Sequence, residues 1–194
     1  MIHKMSFIKC WEYILSDCYR YIGGGIPTLR QILTCYYLNV GFRFTFWMRL
    51  ARCSISFLSL FSRFTCRHLN NKYHIDISWR TQIGYGFRIF HGGPCVINES
   101  AVIGNNVDIF QYVTIGSSFF HAAHIGNNVY IGPSVCVVEN VNIGVGVTVG
   151  AGAVVVKDVP KGATVAGVPA KIVSYKKPGR LVWSRWQHNF LHSD

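Results

Sequence analysis

The sequence predicts a mainly β architecture, a parallel β-solenoid with a helical extension on its N-terminal side, and three observations predict it. First, an aliphatic residue returns every six positions in three runs: Ile77 to Ile89, Ile97 to Ile115, and Ile125 to Val155. A helix repeats near 3.6 residues and a strand at 2, so a sustained six is neither alone. Six residues supply one short strand and one turn, and three such units close a triangular coil whose aliphatic residues stack as interior ladders. Second, Gly and Asn fill the intervals, as in Gly104-Asn105-Asn106 and Gly126-Asn127-Asn128, where a tight corner needs positive φ. Third, the period breaks only after Ile89, to eight residues, and after Ile115, to ten.

Residues 1–74 read as a helical, basic and aromatic region. Gly23-Gly24-Gly25 ends a first helix, and Pro27 can open the next. From Leu38 to Leu69 the apolar residues cover more than one face, Phe42, Phe44, Trp47, Phe57 and Phe61 among them. Such a segment is expected to be buried against the solenoid, against a neighbouring chain, or in a lipid interface. Residues 75–173 hold the solenoid and its closing segment. Val159-Pro160-Lys161-Gly162 ends the regular coils, and Val165 to Val173 is expected to cover the strand edge that the last coil would leave bare. Residues 174–194 form a basic aromatic tail with Trp183 and Trp186, expected as a short helix packed on a neighbour.

The 194 residues carry a formal charge of +11, unevenly placed. Residues 1–74 hold ten Lys/Arg against Glu12 and Asp17, residues 75–173 balance five against five, and residues 174–194 set four against Asp194. A neutral solenoid with basic flanks has two readings: a solvated or trimer-edge surface, and a peripheral site for anionic lipid. Nucleic acid is not expected as a partner, since no helix-turn-helix, zinc-finger or RNP signature accompanies the charge. The seven cysteines make no Cys-x-x-Cys pair and no metal-spaced cluster with His. An odd count without a secretory leader reads as reduced thiols in a cytoplasm, and Cys136, beside an inward position, reads as packing. Thr45 to Phe64 is interrupted by Arg49, Arg52 and Arg63, far short of the roughly 20 apolar residues a span needs. The expected location is cytoplasmic, with a peripheral position at the inner face of the membrane as the variant.

Histidine is the residue type left for chemistry, because no catalytic triad spacing, P-loop, dinucleotide fingerprint or zinc motif is present. His91 lies two residues past Ile89, where the period first breaks, in Phe90-His91-Gly92-Gly93; glycines there would let backbone approach a ligand. His121 and His124 fall in the second break, an insertion projecting from the prism. Breaks in a strict repeat cost stacking regularity and point to function.

Ile89-Phe90-His91-Gly92-Gly93, Gln111-Tyr112-Val113-Thr114-Ile115-Gly116, Gly150-Ala151-Gly152-Ala153-Val154-Val155 and Ala166-Gly167-Val168-Pro169-Ala170-Lys171-Ile172-Val173 resemble the serine O-acetyltransferase family over roughly residues 73–173. The pieces Asp17-Cys18-Tyr19-Arg20-Tyr21 and Gly41 to Leu50 look like its shorter branch, associated with capsule or exopolysaccharide synthesis. The resemblance implies a left-handed parallel β-helix of hexapeptide repeats, acting as a homotrimer or a pair of trimers, with acetyl-CoA as acetyl donor and no metal. It implies His91 as general base, with His121 near a second family histidine, and Phe90, Gly92, Asp17 and His124 as candidates around the acceptor. CoA would lie along the coils between subunits, with Gly116, Gly132, Ala151 and Gly167 allowing close approach and Lys171, with Lys157, facing its phosphates.

The chain departs from the pattern where free serine is bound. The family carries Asp immediately before the base, and this chain has Phe90; the family's Arg-His pair in the insertion is replaced within Ser117 to His124. Phe90, Phe119 and Phe120 suit stacking on a sugar ring, so the expected acceptor is a hydroxyl on a sugar of a surface polysaccharide or its precursor. L-serine, for cysteine biosynthesis, is the alternative with the same chemistry. A non-catalytic β-helix scaffold is the alternative from another class. A metal-dependent carbonic anhydrase would need His91, His121 and His124 to converge across a subunit boundary.

Overall fold

The computed structural model describes residues 4–118 and 121–187. Four helices precede the coils. Helix α1 (Phe7–Ile22) starts where the Ser6 side chain accepts from the Lys9 amide and stops at Gly23, whose φ of 88° is left-handed. The next helix begins later than Pro27. Thr28 caps α2 (Leu29–Leu38) through a reciprocal capping box with Gln31, leaving the proline just outside. Helix α3 (Val40–Leu50) follows, then α4 (Ser56–Tyr73), which ends on left-handed His74.

Helix α3 joins two cores. Phe42 and Leu50 pack with Ile14 and Ile32 of α1 and α2. Phe44 and Met48 face the other way, into the cluster that runs through the coils. This resolves the many-faced apolar pattern of residues 40–50: both sides of the helix are covered within the chain.

The strands form a parallel β-solenoid with three faces. The first face is five-stranded, from Ile75–Ile77 to Val154–Val155; the second is four-stranded, from Gln82–Ile83 to Asn142–Ile143. The third is six-stranded, from Arg88–Ile89 to the final Lys171–Ser174. Every member of the six-residue series points inward. Ile77, Ile97, Ile115, Val137 and Val155 stack on the first face. Ile89, Ile109, Ile131, Val149 and Val165 stack on the third. Their exposures do not exceed 3 %. Burial of these branched side chains drives the coils together, and the parallel pairing supplies the backbone bonds.

The corners divide the work between Asn and Gly. At Gly104-Asn105-Asn106 the positive φ belongs to Asn106, at 55°. Gly104 serves by lacking a side chain, since a Cβ there would sit 2.5 Å from Asn127 Oδ1. The middle asparagines form a ladder: Asn105 Oδ1 accepts from the Tyr85 amide and Asn127 Oδ1 from the Asn105 amide.

Lys171–Ser174 runs antiparallel to Thr164–Ala166 and covers the end of the third face. The expected tail helix does not form among residues 175–187. Instead the tail is a strap across its own chain. Asn106 bonds both the carbonyl and the amide of Trp186, the Trp186 ring meets Tyr19 edge-on, and Ser184 Oγ donates to the Gly23 carbonyl. Paired polar groups with a buried tryptophan hold an irregular segment without helical bonds.

Candidate active site

His91 occupies the edge where the third face turns into the first, directly after Arg88–Ile89. Three layers fix that strand. Tyr21, on α1, donates its hydroxyl to the Ile89 carbonyl at 2.9 Å and accepts from the Ile89 amide at 3.1 Å. Burial pushes the Tyr21 phenol up, so it remains a neutral donor. Gly41 of α3 lies against Ile89 so closely that any side chain there would strike the strand.

Beneath lies a buried ion cluster. Asp108 accepts from Arg20 Nη2 at 2.9 and 3.0 Å and from Arg88 Nε and Nη2 at 3.0 Å each. Arg20 also donates to the carbonyls of Gly86 and Trp183, and Arg88 to that of Arg20. The three side chains are 0–2 % exposed. Burial pulls the Arg20 guanidinium below its ordinary value, opposed by Asp108. The remaining positive charge is met by rings: the Arg88 guanidinium lies 4.2 Å from the Phe90 ring centre and 4.3 Å from that of Trp183.

Phe90 is therefore clamped. Phe110 stacks on it in parallel, centroids 4.2 Å apart and planes 8° apart, so the two partners occupy opposite faces of the ring. From this fixed residue the chain turns into His91, whose φ of 59° is left-handed and whose side chain is exposed. The same left-handed turn occurs at Asn106, Tyr112, Asn128 and Ser134, so it is the geometry of a coil corner, and here it turns an imidazole outward. Among the described residues no group hydrogen-bonds the His91 ring. A cleft of about 400 Å³ opens beside it, lined by Leu38, Asn39, Val40, Phe90, His91 and Trp183, with Tyr21 and Arg88 at its base.

The other expected site residues fall in several places. Gly92 does not leave room for a ligand: it is buried, and a Cβ would sit 2.5 Å from Val40. Phe90 offers neither face to a sugar. Asp17 is not an acceptor carboxylate. It is fully buried on α1, accepts from Arg49 Nε and Nη2 and from the Phe87 amide, and joins α1 to α3 and the first coil. Burial pushes its carboxyl up, against the pull of Arg49.

His121 lies at a different edge, between the first and second faces, and His124 projects from the second face beside Val102 and Asn142. One chain does not bring either to His91, and among the described residues no metal-ligating cluster exists. Phe119 and Phe120 lie outside the described residues. Gly132, Ala151 and Gly167 follow third-face strands on the same edge as His91, while Gly116 ends a first-face strand. Gly132 is buried under the next coil, with Ala151 2.9 Å from a would-be Cβ; Ala151, Gly167 and Lys171 are exposed.

Sequence reasoning missed the Arg20–Asp108–Arg88 cluster, Tyr21, Gly41 and Trp183. Part of the cluster had a signal. Arg88 and Asp108 each precede an inward isoleucine by one position, one coil apart, and pair in register. The helix and tail contributions follow no repeat.

No protein-family model matches the chain. Serine acetyltransferase 2 of Arabidopsis thaliana is 39% identical over 109 residues, covering 54% of this chain and 34% of that protein. The chain spans 29–45% of the length of the curated relatives it matches. The structure of soybean serine acetyltransferase complexed with serine is 32% identical with a TM-score of 0.70, covering 84% of this chain and 69% of that one. A serine acetyltransferase complex with CoA is 25% identical with a TM-score of 0.68, covering 86% and 69%.

Proposed function

The chain belongs to the hexapeptide-repeat serine acetyltransferase family, and from that premise we propose that it is an acetyl-CoA-dependent O-acetyltransferase with His91 as general base and L-serine as acceptor. The observation that carries the proposal is the exposed His91, held in a left-handed turn at the mouth of a cleft by a strand that Tyr21, Gly41 and the arginine cluster immobilise. Imidazole is the side chain suited to taking a proton near neutral pH. As the acceptor oxygen attacks the thioester carbonyl, its proton passes to the His91 ring. The tetrahedral oxyanion is stabilised by backbone N–H groups, collapses to the ester, and expels the CoA thiolate, which takes the proton back from the ring. No acyl-enzyme is required.

CoA, the acetyl-donating co-substrate, fits the edge below His91. Ala151 and Gly167 leave that edge open, and the exposed Lys171 ammonium suits phosphate. The other candidates, His121, His124 and Gly116, lie elsewhere on the prism, so only the homotrimer that the resemblance implies would bring them to His91, from a neighbouring copy. L-serine is preferred because the relatives and neighbours carry that name and two neighbours are complexes with serine.

A sugar hydroxyl, of a polysaccharide or its precursor, is the second reading. Phe90 no longer supports it, because both ring faces are taken. Trp183, 49% exposed at the cleft, does.

The test is release of CoA thiol from acetyl-CoA with L-serine and, separately, with nucleotide sugars and glycans. Turnover with L-serine is expected, and His91→Ala should lower kcat by about 10²–10⁴ with CoA binding retained, as for loss of a general base. Turnover with a glycan alone would overturn the acceptor. Unchanged turnover in His91→Ala would remove His91 from the mechanism.

A further inference from the structure

Helix α4 is amphipathic in the reverse sense. The side packed on the protein presents Ser59 and Ser62 as well as Cys66 and Leu69, and the serine hydroxyls must donate to the carbonyls of Ala51 and Leu58, each at 2.7 Å, to be accommodated there. The side facing out carries Phe57, Leu60, Phe61 and Phe64, at the i, i+3, i+4, i+7 spacing of one helical face. These side chains are 81%, 55%, 50% and 68% exposed. Three phenylalanines and a leucine in one contiguous stripe exceed what isolated surface apolar residues explain, and mark a surface that meets something apolar.

The charges around the stripe identify what it meets. Arg67, His68 and Lys72 continue the exposed face over the following turns. Between Asp17 and Asp76 the sequence contains no Asp or Glu but eight Lys/Arg. Of those eight, only Arg20 and Arg49 make salt bridges among the described residues, both in the interior. A second copy of the same face would add its own Arg67 and Lys72 to the contact and no carboxylate, so self-association through it gains nothing from charge. An anionic lipid surface supplies both missing partners, hydrocarbon for the aromatic stripe and phosphate for the cations. No helix of the described residues is long and apolar enough to cross a membrane, so the contact is made from one side.

We propose that the outward face of α4 is a peripheral membrane-binding surface, inserting Phe57, Leu60, Phe61 and Phe64 among the lipids of an anionic bilayer while Arg67 and Lys72 meet headgroup phosphates. The proposal does not depend on the acceptor or on His91.

The experiment is flotation of the full chain with vesicles of phosphatidylcholine, with and without added phosphatidylglycerol, at low and high salt. The wild type is expected to float with the anionic vesicles, to bind the zwitterionic ones at least about tenfold more weakly, and to be released by salt. Phe57→Ser/Phe64→Ser and, separately, Arg67→Glu/Lys72→Glu should each reduce binding by about tenfold or more. Both pairs are exposed, and circular dichroism melting checks that the fold is kept. Absence of flotation with anionic vesicles, or flotation unaffected by Phe57→Ser/Phe64→Ser, would overturn the proposal. So would loss of a self-associated species in sedimentation velocity on that substitution without any vesicle binding by the wild type.

Discussion

Replacing Asp108 by Asn tests whether the buried cluster sets both the fold and the site. The substitution preserves shape and one carbonyl oxygen, but turns the other oxygen into an amide donor facing guanidinium donors. Four charge-assisted bonds of 2.9–3.0 Å converge on Asp108, from two side chains no more than 2 % exposed. With Asn, two interior cations lose the carboxylate they both bond. Breaking a buried ion pair by removing one partner costs about 3–5 kcal/mol. The rings of Phe90 and Trp183 lie against Arg88 in both variants and so do not change the difference. A loss of about 3–5 kcal/mol is a large share of the roughly 5–15 kcal/mol that folded proteins possess. For a chain of this length it lowers Tm by about 6–20 °C. The assay is urea and thermal unfolding by circular dichroism, with protein concentration held fixed because subunit association would otherwise shift the midpoint. Replacing Arg20, Arg88 and Asp108 together by Met, Met and Leu should cost far less than Asp108→Asn, since no unpaired charge is then buried. A loss below about 1 kcal/mol for Asp108→Asn would refute the reasoning, because an exposed pair behaves that way and a buried one does not.

Ile131→Asp places an unpaired carboxylate at a position with 0 % exposure, and no folded protein is expected by size exclusion; a soluble, cooperatively melting variant would sink the inward ladder. Gly104→Ala puts a methyl 2.5 Å from Asn127 Oδ1 and 2.8 Å from the Gly126 carbonyl carbon, so the coils must part, at about 1–3 kcal/mol in urea unfolding; no change would mean the corner has slack. Burial pushes the thiols of Cys66 and Cys95 up to about 12. At pH 8 about one part in 10⁴ of each is thiolate, so a thiol reagent should label half-buried Cys136 first and all seven only after denaturation. Rapid native labelling of Cys66 or Cys95 would contradict that burial.

The solenoid was legible because its physics is local and repeated. One aliphatic residue in six, with Gly or Asn at the corner, is a pattern each coil repeats, so Ile77, Ile97 and Ile115 can be assigned to one ladder by counting. The irregular turn that holds His91 was legible for the same reason, as a break in the count. The residues that surround it were not. Tyr21, Gly41 and Trp183 come from α1, α3 and the tail, and lie at separations of 68, 48 and 94 residues from Ile89 or Ile89's neighbours with no shared period. Phe90 shows the cost of reading position without partners. Beside His91 it suggested a plate for a sugar, yet Phe110 on one face and Arg88 on the other leave no plate to offer.

By itself the sequence determined the coil period, its inward residues, the two breaks and the acyltransferase resemblance, because backbone spacing and side-chain burial in a repeat are decided among near neighbours. Only the tertiary structure decided that Asp17 is a structural counter-ion, that Gly92 is filled by Val40, that the tail is a strap, and that α4 turns its phenylalanines outward. Each of those depends on which distant surface a side chain meets, and burial and charge pairing between distant segments exist only once the chain has closed on itself.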